Sequence, residues 1–196
     1  MASRIADRMT RMLVTSSLIE EGDRELYSYG FFMLISRIYF FLVTLVTGLL
    51  MDIPFESTLF YVVFMVLRTY AGGVHAKSEI ACSVLTTMAM ISSVLGIKQL
   101  ESLENGAIPL LMLVAGSLCI LLFSPLDTKE KPLDEQEKRK YRAFCVVVAL
   151  LCIVVAVIAQ LLSIHGVFFA ITCSIFLEGI LLAVGKLNYM NTKKLT

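Results

Sequence analysis

Tryptophan is absent from this chain of 196 residues, histidine occurs only twice, and charged residues make up 17% of it. The shortage of charge excludes an ordinary soluble domain, in which about 25% of residues are charged. Hydrophobic residues account for 58% and mean hydropathy is +0.82. A soluble fold of this size could not bury that much apolar surface, so an integral membrane protein is indicated. A net charge of +1 excludes the basic footprint that nucleic-acid binding requires, and no nucleic acid is expected as a partner. Neither a His-Glu-x-x-His nor a Gly-x-Gly-Asp motif is found, which removes the zinc and aspartyl membrane peptidases; no metal and no cofactor are expected. Without tryptophan, interfacial anchoring falls to Tyr, Lys and Arg. Charges run through the first thirty residues with no early apolar core, so no cleavable signal peptide is expected.

A bilayer-spanning helix needs ~20 apolar residues, within a range of ~17–25. Gly30–Leu50, Ile80–Ile97, Ala107–Phe123, Ala143–Leu162 and Gly166–Gly185 fit, and Ser57–Ala71 is a shorter sixth stretch that ends at Gly72-Gly73. Asp52-Ile-Pro54, Glu104-Asn-Gly106, Ser124-Pro125 and Ser163-Ile-His-Gly166 separate these stretches as turns. The expected fold is all-α, a polytopic membrane bundle of six transmembrane helices. With that count, fifteen of the 17 Lys and Arg residues fall on the face that holds both termini. The exceptions are Lys98, on the opposite face, and Arg37, inside the first span. Cytoplasmic loops collect Lys and Arg in this way, so both the N and C termini are expected in the cytoplasm.

The chain divides accordingly into residues 1–29, an amphipathic cytoplasmic or interfacial segment, 30–185, the transmembrane domain, and 186–196, a cytoplasmic tail. In the first segment Arg4, Arg8 and Arg11 share a helix face, and Ile5, Met9, Met12 and Leu13 line its neighbour. Such a helix either lies in the headgroup plane, drawn by anionic lipid, or packs on the protein's own loops.

Chemistry is concentrated between Leu67 and Cys82, a stretch holding Arg68, Gly72-Gly73, His75 and Cys82. Cys119, Cys145, Cys152 and Cys173 lie among Leu, Val and Ile inside predicted spans, where a free thiol behaves as a small inert hydrophobe. Cys82 differs. Ser78 suits a helix N-cap and Glu79 its first turn. Cys82 is thereby placed near a helix start, where the positive end of the dipole favours a thiolate. His75 suits a general base that later protonates a leaving amine. On one continuous helix the two residues would share a face but stand ~10 Å apart along the axis, beyond the ~2.6–3.2 Å that proton transfer needs. The catalytic reading therefore demands non-helical backbone at or after His75, for which Gly72-Gly73 and the Ser78 cap are suited. The opposing reading is a polar loop histidine and a packing cysteine, because a Cys with a His elsewhere is a weak pattern.

The run Arg68…Gly72-Gly73-Val-His75-Ala…Cys82, followed by Ser124-Pro125-Leu-Asp-Thr-Lys129-Glu-Lys131-Pro132, resembles the accessory gene regulator B family of membrane peptidases. The likeness covers chain length, span layout and both motifs, including the seven-residue step from His75 to Cys82. It implies a Cys–His dyad in a multi-pass protein of a bacterial cell membrane, with the active site on the cytoplasmic side. The family matures a quorum-sensing peptide. It cleaves an amphipathic propeptide ahead of an acidic C-terminal tail and holds the released carbonyl as a thioester. A side chain of the peptide then attacks to close a thiolactone or lactone ring. A thioester retains much of the bond energy of the thiolactone, so ring closure is a near-balanced exchange wherever water is excluded.

Within that resemblance Arg68 is expected to pair with a propeptide carboxylate, against the alternative of an anchor snorkelling to the interface. Lys129 and Lys131 are expected to hold the acidic tail, and Gly72, Gly73 and Ser78 to shape the loop. Lys138-Arg139-Lys140 with Arg142 reads as a juxtamembrane anchor to anionic lipid. Asp134, Glu135 and Glu137 suit a helix N-terminus in which Glu135 can pair with Arg139. Arg37 and Glu178 are charges within spans, expected to face the bundle interior or a neighbouring subunit of a homodimer. His165 falls on the opposite membrane face from His75 and is read as structural. The competing function is a small peptide exporter or permease without covalent chemistry. It would use the same bundle and basic mouth, and parts from the peptidase at Cys82.

Overall fold

The computed structural model describes residues 2–72, 78–102, 106–126 and 134–194, and among them it contains helices and no strand. Helix α1 (Ala2–Thr15) and a 3-10 turn (Glu21–Asp23) precede α2 (Arg24–Leu50), α3 (Pro54–Ala71), α4 (Glu79–Glu101), α5 (Ala107–Phe123), α6 (Glu135–Leu161) and α7 (His165–Lys194). Each predicted apolar stretch falls, to within a residue, inside one of the helices α2 to α7. Four segments are long and apolar enough to cross a membrane: Glu21–Leu50, Glu79–Glu101, Glu135–Leu161 and His165–Asn188. Helix α5 is apolar but has only 17 residues, and α3, with 18, carries both Glu56 and Arg68.

Backbone contacts divide the chain into two compact units, Met1–Val43 and Thr44–Thr196. In the first, α1 buries Ala6 and Thr10, one turn apart. Thr10 Oγ1 donates to Ala6 O at 2.9 Å, and Ser28 Oγ of α2 donates to Asp7 Oδ1 at 3.5 Å. The buried face of α1 is thus its small-residue face. The larger apolar residues Ile5, Met9 and Met12 stay exposed beside the arginine face. Arg37 is also exposed on α2. Only 11% of the apolar window of that helix is buried, so most of its positions face outward, the charged one included.

The second unit is organised around α7, which packs against α3, α4, α5 and α6. Of its apolar window 61% is buried, against 17% for α4 and 22% for α6. Glycine makes the closest approach possible. A Cβ at Gly116 of α5 would stand 2.7 Å from Ile175 O, and one at Gly179 of α7 would stand 2.7 Å from Gly116 Cα. The two backbones therefore touch, as membrane helices do where small residues meet. At the start of α7, Gly166 lies against the Glu56 carboxylate, a charge of the sign that suits a helix N-terminus. Helix α6 begins with a reciprocal cap: the Asp134 side chain accepts the Glu137 N–H, and Asp134 N–H donates to Glu137 Oε2 at 3.2 Å, while Glu135 N–H also donates to Asp134 Oδ1 at 2.7 Å. Glu135 takes Lys138 at 3.2 Å, not Arg139 as expected; positions three and four apart are both neighbours on a helix surface. Outward, α4 presents Ile80, Val84, Leu85 and Met88, and α6 presents Val147, Leu150, Leu151, Val154 and Ile158. A continuous apolar exterior of this kind does not belong in water. The chain is a membrane protein.

Candidate active site

Helix α3 stops at Gly72, whose φ of 80° and ψ of −150° lie in a region that is essentially reserved for glycine. Its N–H donates back to Arg68 O at 3.3 Å, closing the last turn. The Arg68 side chain spans the same turn, and Nη1 donates to Gly72 O at 2.8 Å. The segment that follows α5 docks here. Leu126 N–H donates to Ala71 O at 2.8 Å, and Leu126 O would stand 2.8 Å from a Cβ at Gly72. The beginnings of the two sequence motifs, far apart along the chain, thus meet through main-chain atoms. Tyr70 secures the turn from the side, with its ring centroid 4.0 Å from that of Phe144 and 5.6 Å, edge-on, from that of Tyr141 on α6.

Helix α4 begins afresh. Ser78 is extended (φ −130°, ψ 144°), and its Oγ accepts the Ala81 N–H at 3.1 Å. Cys82 N–H donates to Ser78 O at 3.0 Å. Cys82 is the fourth residue of α4 and a half-buried free thiol. Cys145 and Cys173 are buried, and Cys119 and Cys152 are half-buried within their helices. Since Ser78 is extended, no helix runs unbroken through it into Cys82. Gly73, His75, Lys129 and Lys131 lie outside the described residues.

Behind the end of α3 lies Glu178 of α7, fully buried, with Oε1 3.9 Å from Arg68 Nη1. Neither carboxylate oxygen has a hydrogen-bond partner among the described residues. Arg68, with 20% of its side chain exposed, is directed inward at Glu178 and Gly72 O. Sequence singled out both charges but did not join them. The signal available was an acid and a base, each inside an apolar stretch; their meeting depends on how α3 packs along α7. The docking of Leu126 had no signal at all, since every residue carries a carbonyl and every residue but proline an N–H.

A family model described as Accessory gene regulator B matches residues 5–182. AgrB-like protein 2 of Clostridium perfringens strain 13 is 29% identical over 133 residues, which cover 65% of this chain and 62% of that protein. An AgrB-like protein of Clostridium perfringens strain SM101 is 30% identical over 135 residues, with 65% and 62% covered. Accessory gene regulator protein B of Staphylococcus intermedius is 25% identical over 117 residues, covering 60% of this chain and 61% of its own. The chain thus matches less than two thirds of the length of these relatives. No solved structure matches it.

Proposed function

Because the chain belongs to the accessory gene regulator B family, we propose that it is a membrane cysteine endopeptidase that matures a bacterial peptide signal. Cys82 is the nucleophile and His75 the general base. The thiol attacks the carbonyl ahead of the acidic tail of a propeptide, and the C–N bond breaks. The thiol proton passes through His75 to the leaving amine, and the peptide stays on Cys82 as a thioester. A Cys or Ser side chain of the bound peptide then attacks that carbonyl. A thiolactone or lactone ring closes, and the proton of the attacking group returns to Cys82. The observation that carries this reading is the setting of Cys82, a half-buried free thiol in the first turns of α4, just after a capped break in the chain.

Lys129 and Lys131 take the acidic tail. The bundle crosses the cell membrane six times, with α3 and α5 as its short spans; packing on α7 lets them be shorter than the bilayer would otherwise ask. Both termini and the site face the cytoplasm, residues 186–196 form a cytoplasmic tail, and the protein works as a homodimer. Residues 1–29 lie at the interface, a reading supported by the exposure of Ile5, Met9 and Met12 next to Arg4, Arg8 and Arg11.

The test uses purified protein in lipid nanodiscs with a synthetic propeptide. A thiol-labile acyl adduct should form on Cys82, and Cys82→Ala should lose cleavage while keeping propeptide binding. Processing at the normal rate by Cys82→Ala or Cys82→Ser would defeat the peptidase reading and leave the exporter, which moves peptide without an adduct.

A further inference from the structure

Glu178 is fully buried in α7, and the chemistry above makes no use of it. A carboxylate taken out of water needs both an opposite charge and hydrogen bonds. Glu178 has the first, Arg68 at 3.9 Å, and lacks the second among the described residues. Such a pair is poor evidence of stabilisation, since apolar residues of similar volume often serve a core as well or better. Its effect on geometry is more specific. The same Arg68 Nη1 that faces Glu178 donates to Gly72 O at 2.8 Å. Gly72 is where α3 stops, in a backbone conformation open to glycine and pressed against Leu126 O. From there the chain runs to Ser78, which opens the helix of Cys82.

Building on the peptidase reading, we propose that Glu178 is a positioning residue: acting through the Arg68 guanidinium and the Gly72 carbonyl, it sets where α3 ends and how the chain enters the segment before Cys82. Arg68 is then an internal clamp, and the propeptide tail is left to Lys129 and Lys131. A lysine at position 68 would not replace it, because an ammonium is a point charge without the fork that addresses two acceptors at fixed angles.

The test uses the full chain in nanodiscs and two variants, Glu178→Gln and the paired replacement Arg68→Met/Glu178→Leu. Three quantities are measured: the rate of maleimide alkylation at Cys82, resolved by mass spectrometry; kcat and KM on a synthetic acidic-tailed propeptide; and the melting midpoint. Glu178→Gln should change the alkylation rate several-fold. It should also lower kcat about 10- to 100-fold, the scale of a small misplacement at a reacting centre, with KM within about twofold of wild type. The paired replacement should melt at or above the wild-type temperature and keep the low kcat. A raised KM with kcat intact would mean that the pair meets the propeptide, and would overturn the proposal. Recovery of kcat together with the melting midpoint in the paired replacement would make the pair a mere strut, and would overturn it too. Alkylation requires no substrate, so the two readings fail separately. Cleavage by Cys82→Ala removes the peptidase, whereas wild-type alkylation of Cys82 in Glu178→Gln removes the role of Glu178.

Discussion

At the start of α6, Asp134 and Glu137 exchange hydrogen bonds across the first turn, and Glu135 adds a third acid that holds Lys138. At the start of α4, among the described residues, Ser78 caps the turn, one acid follows it, and the fourth position carries Cys82. Both ends obey the same rule, a side-chain oxygen accepting an otherwise orphaned N–H. At α6 the positive pole of the helix is complemented by exposed carboxylates that end the matter there. At α4 the complement is thinner, and the half-buried thiol of Cys82 sits within reach of the pole. The contrast teaches that a capped helix start becomes a candidate site through what its first turn leaves room for, and through what precedes it. The α4 start is preceded by the clamped, glycine-terminated end of α3.

Substitutions at four positions can break or sharpen this contrast. The largest effect is expected for Gly72→Ala. The backbone conformation alone costs on the order of 1–3 kcal/mol for a residue with a Cβ, and that Cβ would press on Leu126 O. Propeptide processing should fall at least ~100-fold; a rate within twofold of wild type would separate the end of α3 from the start of α4. Ser78→Ala comes next. It should remove ~1 kcal/mol of stability and lower processing, with Ser78→Asp restoring both in the same melting and cleavage assays. Asp134→Ala should lower stability by a similar ~1 kcal/mol and leave kcat where it was. If Asp134→Ala slowed processing as much as Ser78→Ala, the two helix starts would not differ in kind. The smallest effect belongs to Glu135→Gln, where loss of an exposed pair should cost ~0.3–0.5 kcal/mol, shrink further with added salt and leave processing unchanged.

Much of the fold was legible because long apolar stretches bounded by turn residues mark helices, and the stretches from Gly30–Leu50 to Gly166–Gly185 map onto α2 to α7, four of them long and apolar enough to cross a membrane. Local signals were also readable: Ser78 and Asp134 are small oxygen-bearing residues placed just before helix-forming runs, and capping is a matter of a few neighbouring atoms. Long-range partnerships were not. Glu178 meets Arg68 because α3 packs along α7, a geometry no spacing encodes. Within α6, Glu135 had Lys138 and Arg139 at nearly equal reach, and periodicity could not choose between them. In α1 periodicity could show that Ile5, Met9, Met12 and Leu13 share a face but not whether that face meets protein or lipid; the structure leaves Ile5, Met9 and Met12 exposed and buries Ala6 and Thr10. At the candidate site, the extended Ser78 and the half-buried Cys82 are described, while the roles of His75, Lys129 and Lys131 rest on the family motif.

The bond from Leu126 N–H to Ala71 O joins the two motifs without using a side chain. An alanine scan would register the buried Leu126 side chain and pass over that bond entirely. An ester in place of that one amide would cut it and leave the rest of the junction chemically untouched. The bond itself is blind to the side chains at positions 71 and 126, whereas Gly72 beside it is held to glycine by its backbone conformation.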